Sequence, residues 1–160
     1  MIYRIRQFWQ ALMPKISSKE LNWALDILPS PAIPLFLAQS LAEQRHALDV
    51  TLDLWSASRN PNLLIAALLH DCGKSKNPLN VWERIYIVLL QRAPRKAWDF
   101  FLRCSPFFSS PLCTAEKHPT WGAEFALDIG LDVEIVELIL HHHSPKTREG
   151  LLLYEADNRH

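Results

Sequence analysis

Glycine is scarce in this chain, with four residues among 160 against eleven prolines. Flexible Gly-rich linkers are thereby excluded, and prolines at helix starts and stops become the expected punctuation. Charge of one sign is missing too. Acidic and basic residues balance at 17 each, so no overall field favours nucleic acid or an anionic membrane. The three cysteines, Cys72, Cys104 and Cys113, make neither a paired disulfide framework nor a C-x-x-C metal knuckle. Reduced thiols in a cytoplasmic protein are the simplest reading, with Cys72 assigned to packing. No run approaches the ~20 apolar residues that cross a bilayer, and the N-terminus lacks the apolar stretch of a secretory signal. Alternating β-branched runs are absent as well, which leaves an all-α protein whose length suits one domain with a proper core.

Helical spacing of Ile5, Phe8, Trp9, Leu12 and Met13 predicts a short helix stopped by Pro14, docked on its own domain rather than on a membrane. Ser17 and Glu20 look like a capping box opening a helix through Leu28, after which Pro29 to Pro34 breaks the chain. Ser40 and Glu43 form a second box ahead of a long helix to about Trp55. Asn60-Pro61 starts an apolar helix, with Gly73 as its expected C-cap. Helices are then expected over Val81 to Gln91 and around Arg95 to Leu102, followed by a loop from Ser105 to Lys117. Pro119 should open a helix that Gly130 ends, and further helices should run from Asp132 to about His143 and from Arg148 to Asn158. Residues 1–39 read as an N-terminal helical extension packed on a domain spanning 40–160.

Against this background one segment stands out. Leu63-Leu64-Ile65-Ala66-Ala67-Leu68-Leu69-His70-Asp71 places a His-Asp doublet at the end of an apolar helix. An unpartnered carboxylate is costly in such surroundings, so the doublet asks for a metal, a proton or a cation. Helical spacing turns further donors inward. His46 shares a stripe with Ala42 and Val50, while Ala66 and Ala67 leave space beside His70. His142 continues the stripe of Ile135, Leu138 and Ile139, and His143 follows Val136 and Ile139 to the pocket edge. His141 neighbours Glu134 and Glu137 and belongs in solvent.

A lone buried histidine would be a hydrogen-bonded core residue, and a lone His-Asp pair a simple ion pair. Five histidines (His46, His70, His118, His142 and His143) with Asp71 and Asp157 demand an elaborate hydrogen-bond network unless an ion gathers them. Nitrogen and carboxylate ligands without thiolate suit Mn, Fe, Co, Ni or Zn rather than Ca. The negative helix end at His70-Asp71 also favours a cation.

The order His46, His70-Asp71-x-Gly73-Lys74, His118-Pro119-x-x-Gly122, Ile139-x-x-His142-His143 and Ala156-Asp157 resembles the HD-domain metal-dependent phosphohydrolase superfamily. More narrowly it is similar to the small stand-alone bacterial HDIG-type proteins, whose first motif Gln44-Arg45-His46-Ala47-Leu48-Asp49-Val50 also resembles. The resemblance covers about residues 40 to 158. It implies a single HD-domain helical bundle in which His46, His70, Asp71 and Asp157 hold one divalent transition metal. In two-metal members Asp71 would bridge to a second ion held by His118 and His142, with His143 nearby. The implied activity is hydrolysis of a phosphomonoester or phosphodiester by metal-activated water, on a small phosphorylated molecule, a nucleotide by family analogy. Asp71 and Lys74 would be catalytic, Lys74 meeting a phosphate oxygen. Arg45, beside His46, and Arg148, near the second ligand group, are further candidate substrate contacts.

Departures from the family pattern narrow the field. The Gly-Tyr-Pro motif of the cyclic-di-GMP phosphodiesterase branch is absent from Ser144 to Gly150. Ala42 stands where that branch can carry a third-metal carboxylate, and Gly73-Lys74 replaces the acidic residues of the alarmone-hydrolase branch. The same ligands would also serve a di-iron oxygenase, as in the inositol oxygenases. A non-catalytic nucleotide-binding module is the third expectation. Its aromatic segment, Trp82, Tyr86, Trp98, Phe100, Phe101, Phe107 and Phe108, would line the core, cover the site or bind a partner.

Overall fold

Most helix starts in this chain are set by a short polar side chain that meets a backbone N–H the helix leaves free. The computed structural model describes residues 14–160, so the helix expected over Ile5 to Met13 lies outside the described residues. Glu20 N donates to Ser17 Oγ at 3.3 Å and Ser17 N donates to Glu20 Oε2 at 2.8 Å, opening α1 (Ser18–Ile27). The expected break from Pro29 to Pro34 is instead a 3-10 turn, Ser30–Ala32, running straight into α2 (Ile33–Leu37). Both elements carry proline in the first turn, where a missing N–H costs nothing, and Phe36 is fully buried there. The Ser40–Glu43 box opens α3 (Leu41–Ala57), and Asn60 caps α4 (Pro61–Leu69). Asn80 and Glu83 make a third box, ahead of α5 (Val81–Gln91), and Pro94 leads into α6 (Arg95–Leu102).

The largest departure from expectation follows. Residues Ser105 to Lys117 are not a loop: one helix, α7 (Pro106–Asp128), runs through Pro111 and Pro119. An interior proline removes a backbone bond and costs about 3 kcal/mol. Pro111, Leu112, Thr114, His118 and Pro119 are all buried along this helix. Each buried large apolar side chain returns about 1.5–3 kcal/mol, so packing wins over local propensity. Gly130, at φ +75°, ends α7 as expected, with Leu131 N donating to Ala126 O at 3.0 Å. Then come α8 (Val133–Leu140), shorter than expected because His141 to His143 form a turn, and α9 (Arg148–Asp157).

Among the described residues there are nine α-helices and no strand. Every residue of α4 from Leu63 to Leu69 is buried, and α1, α2, α3, α8 and α9 all pack around it. Buried Gln39 donates through Nε2 to Leu68 O at 2.9 Å, which fixes the end of α4 just before His70. A second, smaller core joins α5, α6 and α7 through Ile87, Leu90, Trp98 and Leu112. Tyr86 and Phe101 pack against it, whereas Trp82, Phe100 and Phe107 are exposed. No described helix is long and apolar enough to cross a membrane.

Candidate metal centre

His70 is the C-cap of α4 and Asp71 follows in the bridge region at φ −99°, ψ 2°, opening the 3-10 turn Cys72–Lys76. Gly73 therefore does not cap α4 in a left-handed conformation. It sits inside the 3-10 turn, pressed against the backbone of α7 at His118 and Gly122. That close approach sets the distance between Asp71 and His118.

Three of the histidines are held in the same way. His70 Nδ1 donates to Ala67 O at 2.8 Å, His118 Nδ1 to Thr114 O at 3.1 Å, and His142 Nδ1 to Ile139 O at 2.7 Å. A carbonyl only accepts, so in each neutral ring the proton is on Nδ1 and the lone pair on Nε2. Those lone pairs converge. His118 Nε2 lies 3.3 Å from both His142 Nε2 and His143 Nε2, and 3.2 Å from Asp71 Oδ1. On the other side, His46 Nε2 is 2.8 Å from Asp157 Oδ1, while His70 Nε2 is 3.6 Å from Asp157 Oδ1 and 3.7 Å from Asp71 Oδ2.

The result is two ligand groups, His46–His70–Asp157 and His118–His142–His143, with the donor atoms of each within 4.8 Å of one another. Asp71 stands between them, and Lys74 Nζ is 2.6 Å from its Oδ2. His70, Asp71, His118 and His142 are buried; His143 is at the exposed edge. His141 lies outside both groups, with Lys146 Nζ 2.8 Å from its Nε2.

The electrostatics suit a cation. Burial works against ionisation of Asp71, but Lys74, His70 and His118 outweigh it and hold the carboxyl well below its usual range. Asp157 is likewise lowered, its burial outweighed by the hydrogen bond to His46 and by His70 beside it. Burial, with the charges of His70 and His143, pushes His142 well down, so its ring is neutral. Burial and His118 lower His143 in the same way. His70 runs the other way: its burial is outweighed by Asp71 and Asp157, which raise it.

Whether these residues fit a metal can be judged from His70 alone. Its Nε2 is buried and makes no hydrogen bond among the described residues, yet it faces two carboxylates. A lone pair aimed at acceptors is satisfied only by a cation or a proton. Neutral imidazoles and ionised carboxylates are the forms that ligate divalent ions, and the His70, His118 and His142 rings are oriented by their Nδ1 bonds. Cys72, although buried nearby, has its thiol pushed up to about 12 by burial and then by Asp71, so it offers no thiolate.

A cavity of about 240 Å³ opens onto the centre, lined by Ala42, Glu43, His46, Asp71, Lys74, Arg84, His143 and Asp157. Two arginines expected as substrate contacts are elsewhere. Arg45 turns toward α1, where Glu20 lies at 2.6 Å, and Asp49, one turn along α3, holds the guanidinium's other end at 2.8 Å. Arg148 is exposed in the first turn of α9 and does not line the cavity. Arg84 and Glu43 do line it, and the sequence reading missed both in that role. In the sequence Glu43 reads only as a capping residue, and a lone arginine in the first turn of α5 carries no local signal.

The family model described as HD domain matches residues 36–160 of the chain. Comparison with curated proteins and with solved structures returns no match.

Proposed function

The chain belongs to the HD-domain family, and from that premise we propose that it is a metal-dependent phosphohydrolase of a phosphomonoester or phosphodiester, with a nucleotide as substrate class. The observation that carries this reading is the buried lone pair of His70, bonded to nothing and facing Asp71 and Asp157. His46, His70, Asp71 and Asp157 would hold one divalent ion, and His118, His142 and His143 beside Asp71 a second. A bound Mn, Fe, Co, Ni or Zn ion supplies Lewis acidity toward a phosphoryl oxygen and acidifies water.

The protein's own groups set the rest. The three Nδ1 bonds keep the rings from rotating, and the depressed Asp71 carboxyl stays ionised at neutral pH. Lys74 anchors on Asp71 through one N–H, and its ammonium has two more to offer a phosphoryl oxygen at the cavity. Buried neighbours limit water on the inner side, while His143 marks the open side where substrate enters. Three free cysteines suit a reducing compartment, and we propose a cytoplasmic location.

The test is hydrolysis of a broad phosphoester panel by protein loaded in turn with Mn, Fe, Co, Ni and Zn. Turnover of at least one ester, unchanged without oxygen, is expected. No hydrolysis with any metal would refute the activity, and turnover that requires oxygen would favour a di-iron oxygenase.

A further inference from the structure

Arg84 is the one guanidinium among the described residues lining the cavity over the metal centre. It reaches there from the first turn of α5, and three bonds hold it. Nε donates to Leu79 O at 3.2 Å, and Nη2 donates to Ser40 Oγ at 3.1 Å and to Glu43 Oε1 at 2.8 Å. Glu43 is itself only 3 % exposed, and its other oxygen accepts from Ser40 N at 3.1 Å and Ser40 Oγ at 2.8 Å. The acid that holds the guanidinium is thus fixed by the cap of α3, the helix that delivers His46 one turn later. An ordinary surface ion pair loses much of its worth in ordering two long side chains. Here the acid is ordered already by the helix start, so the guanidinium is oriented in advance.

None of these bonds uses Nη1, which has no acceptor among the described residues. The cavity therefore presents a held guanidinium with a free pair of N–H donors, in the lining it shares with Lys74, His143 and the Asp71 and Asp157 carboxylates. Its lining has one carboxylate more than it has cations, and a single divalent ion reverses that sign. An anion is then the complementary ligand, and a charged N–H donor suits phosphoryl oxygens.

We propose that Arg84 is the phosphate-anchoring residue of this cavity, meeting a non-bridging phosphoryl oxygen through Nη1, with Glu43 as the positioning residue that holds it. The inference rests on the phosphohydrolase reading for the identity of the anion.

The experiment is inorganic phosphate binding to the metal-loaded full chain by calorimetry, with metal content measured in parallel. Arg84→Gln alone strands the buried Glu43 carboxylate and risks misfolding, so the double variant Glu43→Gln/Arg84→Gln, a neutral pair, is measured beside it, together with Arg84→Lys. Loss of a charge-assisted hydrogen bond should weaken phosphate on the order of 10- to 100-fold in the glutamine variants, with metal content unchanged. Lysine keeps the charge but not the bonds that hold the guanidinium in place, and should fall between. In kinetics, KM should rise more than kcat falls. Equal phosphate affinity in wild type and variants overturns the assignment, as does a metal-loaded wild type that binds no phosphate. A blank on the ester panel beside an Arg84-dependent phosphate site would sink the hydrolase reading alone.

Discussion

No side chain fits between Gly73 and His118. A Cβ on Gly73 would overlap the His118 carbonyl oxygen and stand 2.6 Å from Gly122 N. The 3-10 turn and α7 touch backbone to backbone there, and this contact brings Asp71 Oδ1 to 3.2 Å from His118 Nε2. Gly73→Ala must push the two elements apart, at a cost of about 1–3 kcal/mol for overpacking a tight interior. It should also weaken metal binding, because the two ligand groups separate. Gly130→Ala is the comparison: its φ of +75° makes alanine strained, but nothing lies within 4 Å of the added Cβ. Denaturant unfolding should show both variants destabilised, and metal titration should show only Gly73→Ala impaired. Equal metal affinity in Gly73→Ala and wild type would contradict the link between packing and site.

Cys72 should resist alkylation. Its thiol is fully buried and pushed up to about 12, so almost no thiolate exists at pH 8. Cys104 and Cys113 are partly exposed. Iodoacetamide on the folded protein, read by peptide mass, should label those two and leave Cys72 unmodified until denaturant is added. Rapid labelling of Cys72 in the native state would contradict its packing assignment.

Acid stability should depend on Glu20. The capping bonds to the Ser17 hydroxyl and backbone, then Arg45, hold its carboxyl down at about 2 against an ordinary 4.5. A depressed folded value means the stabilisation is fully present above the ordinary value and is lost as pH falls through about 2. The Tm gap between wild type and Glu20→Gln should therefore be constant at neutral pH and shrink between about pH 4.5 and 2. A gap that does not change with pH would mean that ionised Glu20 does not stabilise the fold.

Arg45 offers a related test. Its guanidinium ties α3 to α1 through Glu20 and spans one turn to Asp49. Arg45→Ala should lower Tm while leaving metal content and KM for a phosphoester near wild type. A rise in KM comparable to that of Arg84→Gln would return Arg45 to the site.

Much of this architecture was legible because helix starts are written locally. Ser17 with Glu20 and Ser40 with Glu43 bond across three residues, and Asn60 accepts from Asn62 N just past Pro61, so the pattern alone implies the geometry. The inward stripe of His46 and of His142 was readable for the same reason, from the period of the helix. What failed was tertiary. Ser105 to Lys117 read as a loop and Pro119 as a helix start, yet α7 runs through Pro111 and Pro119 because its buried face is packed along its length. Gly73 read as a left-handed cap, yet its reason for lacking a side chain lies 45 residues away, at His118. Arg84 shows the same limit, since its partner Glu43 is on a different helix.

The central claim is that distant imidazoles and carboxylates meet around divalent metal, with Asp71 shared between the two groups. Element analysis of protein purified without added metal, in wild type, Asp71→Ala and His118→Ala, tests it most directly. The account predicts transition metal in the wild type, near-complete loss in Asp71→Ala, and partial retention at the His46–His70–Asp157 group in His118→Ala. A wild type that carries no metal and takes up none on titration, or an Asp71→Ala protein that keeps its full complement, would contradict it.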